Sequence, residues 1–166
     1  MANPQKRSRY DWLLEIISLV ALLWAFYPLF FYGRIGEDML IPIHYNVAGE
    51  IDGWGGRHFL WIIPLIALVF YIGLSLFEKF YKRAGYTLKA TEKNAQYLYR
   101  QRVRFSRHMK VLSLLVFACL NNSSYAIAIG KGSGLNRFVI ILLMGGLLLS
   151  VLIFYVRMNQ GKDTKQ

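Results

Sequence analysis

The chain reads as an all-α membrane protein, a bundle of four transmembrane helices with both termini in the cytoplasm. Two observations predict this. First, Trp12 to Tyr32, Phe59 to Phe77, Val111 to Ile129 and Phe138 to Val156 are nearly charge-free, with Glu15 the one formal charge among them. Each is about 20 residues, enough at about 1.5 Å per residue to cross the roughly 30 Å of a hydrocarbon core. Second, the basic residues alternate by side. Lys6, Arg7 and Arg9 precede the first stretch, ten more lie between Glu78 and Lys110, and Arg157, Lys162 and Lys165 follow the last. The other two connections hold only Arg34, Arg57, Lys131 and Arg137. Positive residues accumulate on the cytoplasmic side, so both ends and the Glu78–Lys110 connection are expected there. The four spans consume so much of the 166 residues that one membrane domain over 1–166 is expected.

The first span follows a basic segment, as a signal sequence does. It is longer than a usual signal core and lacks a small-x-small cleavage site, so it is expected to remain as a helix. Tyr10 and Trp12 mark one interfacial belt and Tyr27, Phe30, Phe31 and Tyr32 the other, with Pro28 near the outer end. Glu15 lies within one turn of the span's start, where it can pair with Arg9 or with a basic residue of the long inner connection.

Gly33 to His58 forms the outward loop, rich in glycine and net acidic, and has the turn chemistry that glycine and Pro42 supply. In the second span Pro64 leaves the carbonyl four residues earlier without its partner, which predicts a modest bend near the outer face.

Inside, Gly85 separates a short stub from a helix-favouring run that Thr87 or Thr91 could cap. Ala95, Leu98, Phe105, Met109 and Leu112 then fall on one face, interrupted by Arg102, and predict a helix running from the cytoplasm into the third span. The basic cluster Arg100, Arg102, Arg104, Arg107 and Lys110 suits anionic headgroups, at about 1 kcal/mol each, or a cytosolic protein partner. The net charge of +11 is accounted for by topology, and no nucleic-acid module is present, so no nucleic acid is expected.

Asn121, Asn122, Ser123 and Ser124 lie past the middle of the third span and are expected to face other helices rather than lipid. The connection from Lys131 to Asn136 is short enough to force the third and fourth spans into an antiparallel pair. Gly146 and Ser150, with Gly145 beside them, let another backbone approach closely, whether from this chain or from a second copy in a homo-oligomer. Cys119, the only cysteine, lies inside a span and identifies no redox compartment.

The outward loop is the most specific segment. His44, Glu50 and Asp52 could meet around a cation, but no second histidine or cysteine lies nearby, so neither a metal nor a cofactor is expected. In a structural reading Pro42 fixes the chain, Asn46 and Asp52 hold turn amides, glycines permit reversal, and Tyr45 and Trp54 rest at the interface. In a recognition reading the same acidic and aromatic loop contacts a cationic peptide or an envelope protein, with His44, Asn46, Glu50, Asp52 and Trp54 as the contact residues.

Pro42, His44, Asn46, Gly49, Asp52, Gly53 and Arg57 follow the order Pro-x-His-x-Asn, Gly, Asp-Gly and a basic residue entering the next helix. In this the chain resembles the domain of unknown function 1648, the amino-terminal module of the SdpI-like immunity proteins, over about a third of its length. The resemblance implies a multi-pass protein of a bacterial cytoplasmic membrane. In relatives with the complete SdpI arrangement it also implies immunity to a peptide toxin and capture of a repressor at the membrane.

Enzymatic signatures are absent: there is no nucleophile with a plausible base on one face, no His-Glu-x-x-His, and no phosphate-cradling glycine loop followed by lysine. The expectation is a non-enzymatic receptor or immunity-type protein. The alternatives are a small transporter, with Glu15, Asn121 and Asn122 along a path, or an accessory subunit of a membrane complex.

Overall fold

The computed structural model describes residues 7–46, 48–84, 92–132 and 135–163. Helix α1 (Arg9–Phe26) passes into a 3-10 helix (Tyr27–Arg34), followed by strands β1 (Leu40–Tyr45) and β2 (Ile51–Gly56). A second 3-10 turn (Arg57–Trp61) leads into α2 (Ile62–Ala84), and α3 (Glu92–Ala128) and α4 (Arg137–Asp163) complete the chain. Four helical segments, Arg9–Arg34, Arg57–Phe80, Tyr97–Ala128 and Arg137–Asn159, are long and apolar enough to cross a membrane. The expected break at Gly85 and the cap at Thr87 or Thr91 lie outside the described residues.

Local chemistry sets the helix ends. Ser8 Oγ accepts from the Asp11 amide at 3.2 Å while Asp11 Oδ2 accepts from the Ser8 amide at 2.8 Å, a reciprocal pair that satisfies two orphan donors at the start of α1. At the far end of α3, Gly130 takes φ +72° and donates to Ile127 O while Lys131 donates to Ala126 O, the Schellman arrangement that only glycine adopts without strain. Asn136 Oδ1 then accepts from the Val139 amide at 3.3 Å to open α4.

The third helix is the hub: it touches α1, α2, α4 and the hairpin. At 37 residues it is one uninterrupted helix of about 55 Å. Its inner face runs through Val103, Arg107, Lys110, Leu114, Ala118 and Asn121, all buried, at spacings of three and four. The middle of that face packs with Ala21, Leu22 and Ala25 of α1 and Ala67 of α2, small residues that bring the three backbones close. The apolar stripe that the sequence picks out lies on a different face: Phe105 stacks on Phe154 with ring centroids 4.3 Å apart, and a Cβ on Gly146 would lie 3.3 Å from Leu112. Those pairings run α4 antiparallel to α3. Among the described elements α4 packs on α3 alone, and its outer surface is exposed, with Phe138 at 87% and Leu142 at 75%.

One expectation is corrected. The segment 33–58 is not a loop of turns: β1 and β2 pair antiparallel, Leu40 with Gly56 and Tyr45 with Ile51, with register shifts on either side of His44. The glycines make this close pairing feasible, since a Cβ on Gly53 would stand 2.9 Å from His44 Cβ and one on Gly55 2.6 Å from the Phe59 ring. The helical fold thus carries one two-stranded sheet. The chain reaches α2 through a 3-10 turn, and Pro64 lies in the first turn of α2.

Pro28 has a consequence for packing. Without an N–H it leaves Ala25 O without its 3-10 partner, and Trp24 O accepts from the Tyr27 amide in place of an α bond. Asn121 Nδ2 donates to Ala25 O at 2.9 Å and Asn122 Nδ2 to Trp24 O at 2.8 Å. Backbone that a proline frees inside a membrane helix is re-satisfied in this way by a neighbouring helix.

Candidate functional site

At one end of the bundle the hairpin is held as a rigid unit. Asn46 and Glu50 close its turn: Asn46 Oδ1 accepts from the Glu50 amide and its Nδ2 donates to Glu50 Oε2, both at 2.9 Å, while the Gly49 amide donates to Asn46 O at 2.8 Å. Gly49 takes φ +77°, and a Cβ there would stand 2.7 Å from the Arg137 side chain. Arg57 clamps the base, donating to Ile35 O at 2.8 Å and to Glu37 at 2.7 Å while lying over the Tyr32 ring. Ser124 of α3 donates to Pro42 O at 3.0 Å and contacts the Tyr45 hydroxyl at 3.2 Å. Ile35, Ile41 and Leu60 form a buried apolar plug beneath. Burial there pushes the Tyr45 phenol up, and Tyr45 is docked on α3.

Two motif residues, His44 and Asp52, and the neighbouring Trp54 are left outward. His44 Nδ1 contacts Asp52 Oδ1 with side-chain exposures of 71% and 43%, and Trp54 is 50% exposed. Asp52 and Trp54 alternate onto one face of β2, and the irregular register around His44 aims its ring at Asp52. The sequence-selected set therefore divides: Pro42, Asn46, Gly49, Glu50, Gly53 and Arg57 build the hairpin, whereas His44, Asp52 and Trp54 present a surface. Among the described residues no three histidine, cysteine or acidic side chains gather in metal-binding geometry, and Glu50 turns to Asn46 instead of joining His44 and Asp52.

The opposite end holds a network of buried charge. Lys110, 1% exposed, donates to Glu15 Oε2 at 2.9 Å and to Ser75 Oγ at 3.2 Å, and lies 3.4 Å from Glu78 Oε1. Arg107 pairs with Asp11 and with Glu78, the latter at 3.1 Å. Tyr71 donates to the other Glu15 oxygen at 2.9 Å. Three carboxylates from α1 and α2 thus enclose two cations from α3. This corrects the reading of Arg107 and Lys110 as a surface for lipid or a cytosolic partner: both are buried and spoken for, whereas Arg100 is exposed and Arg102 and Arg104 are half-buried. Asp11 and Glu78 were missed by sequence reasoning; the available signal was an acid at a span end on a side otherwise crowded with bases.

The hairpin, its supporting 3-10 turns and the flanking halves of α1 and α2 form a single stretch of sequence. Residues 16–68 match the domain of unknown function DUF1648. No curated protein and no solved structure matches the chain. The DUF1648 segment contains every residue of the hairpin motif. Its boundary falls one residue after Glu15, so the charge network and both later helices lie outside it.

Proposed function

We propose that this protein is a non-enzymatic membrane receptor or immunity-type protein of the SdpI-like kind, set in a bacterial cytoplasmic membrane with its hairpin outward and its basic ends in the cytoplasm. The division of the motif carries the reading. Of the nine residues that the sequence singles out in this segment, six are consumed in fixing a hairpin, and the three left over, His44, Asp52 and Trp54, form an exposed imidazole, carboxylate and indole on its surface. Such a surface suits a cationic peptide or a basic envelope protein: the carboxylate meets the charge and the indole supplies the apolar and cation–π contact. The asymmetry of basic residues supports the orientation. The exposed side of α3 around Arg100 and Arg102 would face a cytosolic partner.

Alanine at His44, Asp52 or Trp54 is expected to abolish protection of producing cells against an added cationic peptide while membrane levels stay normal. Wild-type protection in all three variants would reject the reading. A second reading, proton-coupled transport, is favoured by the carboxylates of half-buried Glu15 and buried Glu78 beside Lys110. Substrate-dependent proton flux in vesicles that disappears with Glu15→Gln would establish it in place of the first.

A further inference from the structure

The acids whose side chains are described at the basic end, Asp11, Glu15 and Glu78, are all engaged by Arg107 and Lys110. Two neighbouring cations are left over. Between α3 and α4 lies a cavity of about 240 Å³ whose polar wall is Gln101, Arg104, His108 and Arg157. Arg157 donates to the neutral Gln101 amide oxygen at 3.2 Å, and among the described side chains neither Arg104 nor Arg157 meets a carboxylate. The rest of the lining is apolar: the stacked Phe105 and Phe154, then Leu112, Leu149 and Ile153, with Gly146 and Ser150 leaving the floor open. The wall opposite α3 is α4, a helix long and apolar enough to cross a membrane, whose outer face is exposed.

The geometry points to a binding site for one anionic phospholipid, in the leaflet at the basic end of the bundle. Two guanidiniums present planar pairs of donors that match a phosphodiester's oxygens, and no acid among the described side chains neutralises them. The volume is less than a whole small-molecule pocket, which fits a headgroup phosphate and the first carbons of one acyl chain while the remainder stays in the bilayer. Basic pockets between membrane helices bind anionic headgroups through this combination of charge and groove. The site differs from diffuse attraction to a charged surface because it requires Arg104 and Arg157 together with the apolar floor, and it is independent of the hairpin's role.

The test is native mass spectrometry of the full chain, delipidated and titrated with phosphatidylglycerol or phosphatidylcholine. The wild type is expected to take up one phosphatidylglycerol in preference to phosphatidylcholine. Arg104→Gln with Arg157→Gln is expected to weaken binding by about 25-fold, about five-fold per cation. Lys79→Gln with Arg100→Gln, which removes two cations outside the cavity, should change it little. Ser150→Leu, which fills the floor and leaves every charge in place, should also lower occupancy, and because the charge network is untouched by these changes it provides a folded variant. Equal uptake of the two lipids, equal losses in the two double variants, or displacement of phosphatidylglycerol by millimolar inorganic phosphate would overturn the proposal.

Discussion

The two ends of the bundle solve the same problem with different chemistry. At the hairpin end, α3 reaches its neighbours through neutral groups: Ser124 to Pro42 O, Asn121 to Ala25 O and Asn122 to Trp24 O. At the basic end it does so through full charges, Arg107 and Lys110 against Asp11, Glu15 and Glu78. Neutral donors to carbonyls can be replaced at modest cost, because each group loses one bond. A buried ion loses a counter-charge, and the partner left behind then bears more of the desolvation penalty. The hairpin end is therefore built from separable contacts, the basic end as one unit.

The largest effect should follow from removing a cation at the basic end. Lys110→Met leaves Glu15 and Glu78 facing an apolar side chain and is expected to lower stability by about 3–5 kcal/mol, read as a fall in the unfolding midpoint in detergent. Neutralising the set together, with Glu15→Gln and Glu78→Gln added to Lys110→Met, should recover much of that loss, since the penalty lies in the unpaired charges. If the single variant costs no more than a neutral one at the hairpin end, the contrast between the two ends fails.

How far this was legible depends on whether partners are near in sequence. The spans follow from runs of apolar residues, and the hairpin motif from Pro42 to Arg57 is contiguous, so both could be found without coordinates. The charge network joins Asp11 to Arg107 and Glu15 to Lys110, far apart along the chain, and no local pattern links them. The face of α3 was harder still. Apolar periodicity selects Phe105 and Leu112, which meet α4, whereas the innermost face carries Arg107, Lys110 and Asn121. In water the apolar stripe goes inside; in lipid an apolar side chain can stay outside and a polar one cannot. The hairpin was read as a loop because its glycines signal turns, and only the packing of Gly53 against His44 and of Gly55 against Phe59 shows them to be strand positions.

A smaller and more specific effect is expected where Pro28 meets Asn121. Asn121→Ala strands Ala25 O in a buried site and should cost about 1–2 kcal/mol by the same unfolding measurement. Pro28→Ala restores an N–H two positions after Phe26, so in that background the Asn121→Ala penalty should shrink. A double-mutant cycle reads this coupling directly. Additive losses would mean that the asparagine does not compensate for the proline, and that the hairpin end holds together for some other reason.

The smallest effect belongs to the seat of the hairpin. Ser124→Ala removes the donor to Pro42 O and the contact with Tyr45, at about 0.6 kcal/mol, the average for one interhelical hydrogen bond in a membrane protein. Global stability would scarcely register it. Because the hairpin is a local unit resting on Ile35, Ile41 and Leu60 as well, the loss should appear as faster amide exchange of β1 and β2 with exchange in α1 and α2 unchanged. If exchange rises equally throughout the bundle, the hairpin and helices open together, and a ligand seated on His44, Asp52 and Trp54 would be felt at Arg107 and Lys110 through the length of α3.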